Sequence, residues 1–119
     1  MSYVDGFLLP VPKKNMSVYR GMAKMASKVW REHGALEYFE CTLDEAKPSF
    51  GLSFTKGVKM KAGDVVVYSF IVYRSKAHRN AVNKKVMKDP RLAAMMEGKK
   101  MPFDMKRMMY GGFKVIVEA

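Results

Sequence analysis

Val65-Val66-Val67-Tyr68-Ser69-Phe70-Ile71-Val72-Tyr73 decides the architecture of this chain. Successive residues of a strand point to opposite faces, and here both alternating sets are apolar. Val65, Val67, Ile71 and Tyr73 form one side; Val66, Tyr68, Phe70 and Val72 form the other. Both faces therefore need cover. Working outward from this strand, the chain runs through one series twice. A strand from Tyr3 to Leu9, an amphipathic helix from Asn15 to His33 and a strand from Leu36 to Cys41 make the first pass. Val65 to Tyr73, a helix from Lys76 to Lys88 and a strand from Tyr110 to Val117 make the second. Four strands and two helices give an α+β domain in which the helices can cover only one sheet face. In so short a chain, the simplest cover for the other face is a second copy of the same chain. A homodimer with Tyr68 and Phe70 in a sheet-to-sheet interface is expected.

The helices are well punctuated. In the first, Met16, Tyr19, Ala23, Ala26 and Trp30 recur at helical spacing, with Lys24, Ser27, Lys28 and Arg31 opposite. Pro12 and Asn15 supply start signals, and Gly34 is placed to end the helix in the left-handed conformation. Ser75 is the candidate cap of the second helix, whose apolar stripe is Ala77, Ala81, Val82 and Val86. Asp89-Pro90 must interrupt it and can start a short helix that Gly98 closes. The connection from Thr42 to Asp64 is too long to lack structure, so Phe50 to Met60 should hold a short helix or strand, with Lys56, Lys59 and Lys61 in water.

Residues 1–119 fit one domain with one core. No export signal or membrane-length apolar run is evident, so a soluble cytoplasmic protein is expected. The single Cys41 has no partner for a disulfide and reads as a small buried hydrophobe. The formal charge of +11 comes from lysines and arginines scattered along the chain. Such a surface attracts polyanions, and an RNA-binding protein that stacks bases on Tyr68 and Phe70 is the alternative function. The basic-Gly-aromatic opening of the RNA-binding strand motif is missing, and the same aromatics are already needed to bury the dimer interface.

Several segments resemble a known family: Tyr3-Val4-Asp5-Gly6-Phe7, Pro10-Val11-Pro12-Lys13-Lys14-Asn15, Trp30 to Tyr38 (WREHGALEY), Val86 to Leu92 (VMKDPRL) and Met101-Pro102-Phe103-Asp104. With Lys106-Arg107-Met108 and Tyr110-Gly111-Gly112-Phe113, they look like the YbaA-like family of small bacterial proteins, a domain of unknown function. The resemblance spans nearly the whole chain. It implies a ferredoxin-like βαββαβ fold with an antiparallel sheet, of the dimeric α/β barrel type. It implies no activity, and it leaves open whether the protein is an enzyme. The wider barrel group includes small cofactor-free monooxygenases, isomerases, haem-degrading enzymes and ligand sensors.

Chemistry is sparsely written. His33 and His78 sit near helix ends, and no metal-ligand spacing occurs, so neither a metal nor a cofactor is expected. Glu37 and Glu40 fall on opposite faces of the second strand and cannot face each other, which leaves each as a carboxylate for an edge or interface ion pair. The richest segment runs from Met101 to Phe113. There Arg107 could hold a ligand carboxylate or phosphate, or pair with Asp104 to pin the loop. Gly111-Gly112 allows a close approach or a bulge. Met95, Met96, Met101, Met105, Met108 and Met109 either fill the core or line a flexible pocket. The leading expectation is a pocket bounded by Trp30, Tyr38, Phe103 and these methionines, with Arg107 and Tyr110 beside it. It would bind, or slowly turn over, a small hydrophobic or aromatic molecule.

Overall fold

The alternation of the long apolar strand holds from Val67 to Tyr73, while at its start Val66, on the open face, is buried as well. A computed structural model describes residues 1–97 and 100–119. Its strands are β1 (Tyr3–Pro12), β2 (Glu37–Thr42), β3 (Asp64–Tyr73) and β4 (Met109–Lys114); its helices are α1 (Met16–Glu32), α2 (Phe54–Gly57), α3 (Lys76–Met87) and α4 (Pro90–Met96). The sheet order is β2-β3-β1-β4 with every neighbouring pair antiparallel, which is the ferredoxin-like arrangement. Val67, Ile71 and Tyr73 of β3 are buried on the face that carries the helices. Tyr68 and Phe70 lie on the opposite, open face.

β1 runs past Leu9 to Pro12, three residues further than the apolar pattern suggests. The extension is possible because β4 begins opposite Leu8, leaving one edge of β1 free where Pro10 and Pro12 lack an N–H to give. At the other end of the sheet, β4 stops at Lys114 rather than Val117, and Ile116 and Val117 are exposed. The pairing of β1 with β4 is continuous, so Gly111-Gly112 makes no bulge. Each glycine instead makes room for a ring: a Cβ on Gly111 would press on Phe113, and one on Gly112 would run into the Tyr3 hydroxyl.

The punctuation works largely as expected. Gly34 ends α1 at φ 118°, Ser75 accepts the His78 N–H at 3.1 Å, and Asp89 accepts the Arg91 N–H at 2.9 Å with Pro90 in the first turn. Asn15 precedes α1 but caps nothing; its amide donates to the Pro102 carbonyl at 2.9 Å and ties the Met101 loop to the helix start. The α4 closure expected at Gly98 lies outside the described residues. The long connection contains a single turn, α2, capped by Ser53, and Lys56, Lys59 and Lys61 are exposed. Two expectations fail on burial. Cys41 is exposed, because odd-numbered residues of β2 face away from the helices. On α3, Val82 and Val86 are buried but Ala77 and Ala81 are exposed, and the inner positions between them hold Arg79 and Asn83.

The end of α1 is stapled to the start of α4. His33 Nε2 lies 2.7 Å from Asp89 Oδ2, and Arg91 bridges Asp89 at 2.8 Å and Glu32 at 2.6 Å. Hydrogen bonds from the Arg91 side chain, then from His33 and the Arg91 backbone, hold the Asp89 carboxyl well below the usual carboxylate range. A group whose folded pKa is depressed adds stability above its unfolded pKa and loses it as pH falls through the folded one. Asp89→Asn is therefore expected to lower the melting temperature at neutral pH, with the gap to the parent narrowing below about pH 4. Thermal unfolding across pH measures this; a gap of constant size would contradict it.

Candidate functional site

The helix-side core falls into two clusters, one around Val29, Ile71, Tyr73, Val82 and Val86, the other around Leu9, Val11, Tyr19 and Val67. A cavity of about 540 Å³ borders both. Its floor is the sheet, through Asp5, Phe7, Leu9, Tyr38, Glu40, Ser69, Ile71 and Tyr110. One wall is α1, through Tyr19, Met22, Ala23, Ala26 and Trp30. Asn83 and Met87 of α3, Leu92, Met95 and Met96 of α4, and Met101, Phe103, Met105 and Met108 of the following loop complete it. The volume suits a drug-sized or smaller molecule, and the lining is overwhelmingly apolar.

Trp30, Tyr38, Phe103 and Tyr110 thus lie around one space, with five of the six clustered methionines. Met109 does not join them, because it faces the open side of the sheet opposite Leu8. Arg107 is also elsewhere. Its guanidinium donates to Asp64 Oδ2 at 3.2 Å and to the Lys59 carbonyl at 2.7 Å, pinning the loop to the start of β3. The partner is not Asp104, which instead accepts the Lys106 N–H at 3.0 Å and caps a short turn over Met105–Arg107. Neither histidine lines the cavity: His33 is spent on Asp89, and His78 Nδ1 accepts the Arg74 N–H at 3.0 Å.

Carboxylates enter the cavity wall at two places. At the first, Asp5 is buried at 2% exposure and accepts from Arg79 Nη1 at 2.9 Å and from the Tyr110 hydroxyl at 3.2 Å. Arg79 also donates to the Tyr110 oxygen at 2.8 Å and lies over the Tyr3 ring, 4.9 Å from its centroid. Beside them Asn83 Oδ1 accepts from Trp30 Nε1 at 3.2 Å and from the Tyr73 hydroxyl at 3.3 Å, which fixes the indole in place. Burial pushes the Asp5 carboxyl up, against the opposing pull of Arg79 and Tyr110.

At the second place, Glu40 accepts from Tyr19 at 2.7 Å through one oxygen and from Tyr38 at 2.8 Å through the other. Burial raises its carboxyl too, and the two hydroxyl donors oppose this only in part. The same burial, followed by the nearby Glu40 charge, pushes both tyrosines well up, so they stay protonated donors. Glu40 therefore makes no ion pair within the chain among the described residues. Glu37 is on the open face and exposed, so the two carboxylates are indeed on opposite sides.

Residues 2–105 match the family model described as "Protein of unknown function (DUF1428)". Over 118 residues, 99% of each chain, the sequence is 42% identical to "Uncharacterized protein YbaA" of Escherichia coli strain K12. The chain belongs to the DUF1428 family. Among solved structures it is similar to a NIPSNAP family protein of Agrobacterium tumefaciens, with TM-score 0.59 and 13% identity over 96% of this chain and 87% of that one. It is also similar to SnoaB, a cofactor-independent oxygenase from Streptomyces nogalater, with TM-score 0.55 and 12% identity over 98% and 95% of the two chains. At such identities the likeness shows the ferredoxin-like fold alone.

In this DUF1428 chain, sequence patterning misses Asp5, Arg79, Asn83 and the tyrosine clamp on Glu40. One signal was available for α3: stepping back three residues from each of Val82 and Val86 places Arg79 and Asn83 on the inner face. For Asp5 the alternation Tyr3, Asp5, Phe7, Leu9 places a carboxylate on a buried strand face, where an ionised group needs a partner. Among the described residues, no three His, Cys, Asp or Glu side chains converge as a metal site would require, and no helix is long and apolar enough to cross a membrane.

Proposed function

We propose that the protein is a cytoplasmic homodimer whose helix-side cavity binds, or slowly turns over without a cofactor, a small hydrophobic or aromatic molecule. The observation that carries this is the cavity of about 540 Å³, walled by Trp30, Tyr38, Phe103 and methionines around two tyrosine-bound carboxylates. Methionine walls can adapt to ligands of different outline. Asp5 and Glu40 offer polar anchors for a ligand or acceptors for its proton.

Pairing through the open sheet face is supported by what that face carries. Phe39 stacks on Phe70 with ring centroids 5.0 Å apart, Tyr68 lies 5.7 Å from Phe70, and Phe39, Tyr68, Met109 and Phe113 are all substantially exposed. The only charges in its registered pairs are Glu37 and, at the far end, Asp64, which is ion-paired with Arg107. No cation stands in register with these aromatics, which weakens the RNA-binding alternative, since base stacking needs cations beside the rings. Retention on heparin that falls steeply with salt would revive it.

A thermal-shift screen of neutral aromatic molecules tests the cavity. Binders are expected to raise the melting temperature of the parent but not of Ala23→Phe, in which a ring occupies the space beside α1. A screen with no hits, or hits that shift Ala23→Phe equally, would remove the proposal.

A further inference from the structure

Two carboxylates line the cavity, and they are not equivalent. Asp5 is balanced by Arg79 at 2.9 Å. Glu40 has no cationic partner among the described residues; its only hydrogen bonds come from the Tyr19 and Tyr38 hydroxyls, one to each oxygen. One acceptor position on each oxygen remains unused. Two donors converging on the two oxygens suit the ionised form, and an ionised carboxylate facing an apolar space needs a positive charge.

The surroundings favour that charge coming with a ligand. Trp30 and Tyr38 have ring centroids 6.3 Å apart, and Tyr19 and Phe103 5.8 Å apart, so aromatic surface flanks Glu40 within the cavity. Ring faces attract an ammonium group, most strongly where water is excluded. Arg20 and Lys24 of α1 line, together with Glu40, an adjoining hollow of about 360 Å³, and neither forms an ion pair with that carboxylate. Across the cavity, Arg79 is engaged by Asp5 and Tyr110.

We infer that the cavity takes a small amphipathic amine, with its ammonium group on Glu40 and its apolar body against Trp30, Phe103 and the methionines. This rests on the cavity being a ligand site, and it adds the class of ligand. A carboxylate ligand of the same shape would meet Glu40 as a like charge and should be rejected.

Calorimetry at neutral pH and physiological ionic strength, where the overall positive charge is screened beyond about 8 Å, compares phenylbutylamine, phenylbutanol and phenylbutyrate. The amine is expected to bind at least about tenfold more tightly than the alcohol, and the carboxylate more weakly than both. In Glu40→Gln, which keeps a tyrosine-accepting oxygen, the amine should lose its advantage over the alcohol. Failure of all three molecules to bind would overturn the cavity as a ligand site. An alcohol that binds the parent as tightly as the amine would overturn the amine assignment alone. An amine preference that survives Glu40→Gln would remove Glu40 as its cause. The comparison of ligands on the parent decides the ligand class even if the variant does not fold.

Discussion

Arg79→Met is expected to destabilise the protein by about 3–5 kcal/mol at neutral pH, because it leaves the buried Asp5 carboxylate without its cation. A domain of this size has roughly 5–15 kcal/mol in total, so the variant would sit near the edge of folding. The pH dependence is diagnostic. Burial already pushes Asp5 up and Arg79 opposes it, so removing Arg79 raises the folded-state pKa further. A raised folded pKa gives stability that is present below the unfolded value and lost as pH rises through the folded one. The deficit relative to the parent should shrink on acidification towards about pH 4. Asp5→Asn combined with Arg79→Met should recover much of the loss, since no buried charge then remains. Urea unfolding at both pH values measures this, and a deficit that does not change with pH would contradict it.

Phe70→Lys carries the second large effect. Phe70 lies between Phe39 and Tyr68 on the open sheet face, and a lysine there would place an unpaired charge in the proposed apolar interface. The cost is several kcal/mol, roughly the scale of an unpaired polar or charged group in an apolar setting. The dimer should fall apart or aggregate. Lys28→Glu, on the exposed side of α1, should change stability by no more than about half a kcal/mol and leave association intact. Light scattering separates the outcomes: a parent at twice the 13.6 kDa chain mass and a monomeric or aggregated Phe70→Lys are expected. A monomeric parent, or a soluble Phe70→Lys dimer, would contradict the pairing.

The elements that position the cavity were legible because they rest on local rules. Alternation along Val65 to Tyr73 separates the two faces of β3, Gly34 at positive φ ends α1, and Ser75 and Asp89 cap the helices their positions predict. The apolar lining followed from the same patterns, since Trp30, Phe103 and the methionines have to go somewhere inside. The polar groups were not legible, because their partners come from register and not from neighbours in sequence. Asp5 meets Arg79 across 74 positions and Tyr110 across 105, and Arg107 meets Asp64 across 43 where a neighbour, Asp104, was the simpler choice. Cys41 shows the opposite limit. A residue type that is usually buried is exposed here because a one-residue step along β2 changes the face.

Trp30 is the single tryptophan of the chain and stands in the cavity wall, so its emission reports directly on occupancy. Titration of the parent with phenylbutanol is expected to change that emission along a saturable curve with one site per chain, and to leave Ala23→Phe silent. An unsaturable response in the parent, or the same curve in Ala23→Phe, would mean that the space beneath Trp30 is not a binding site.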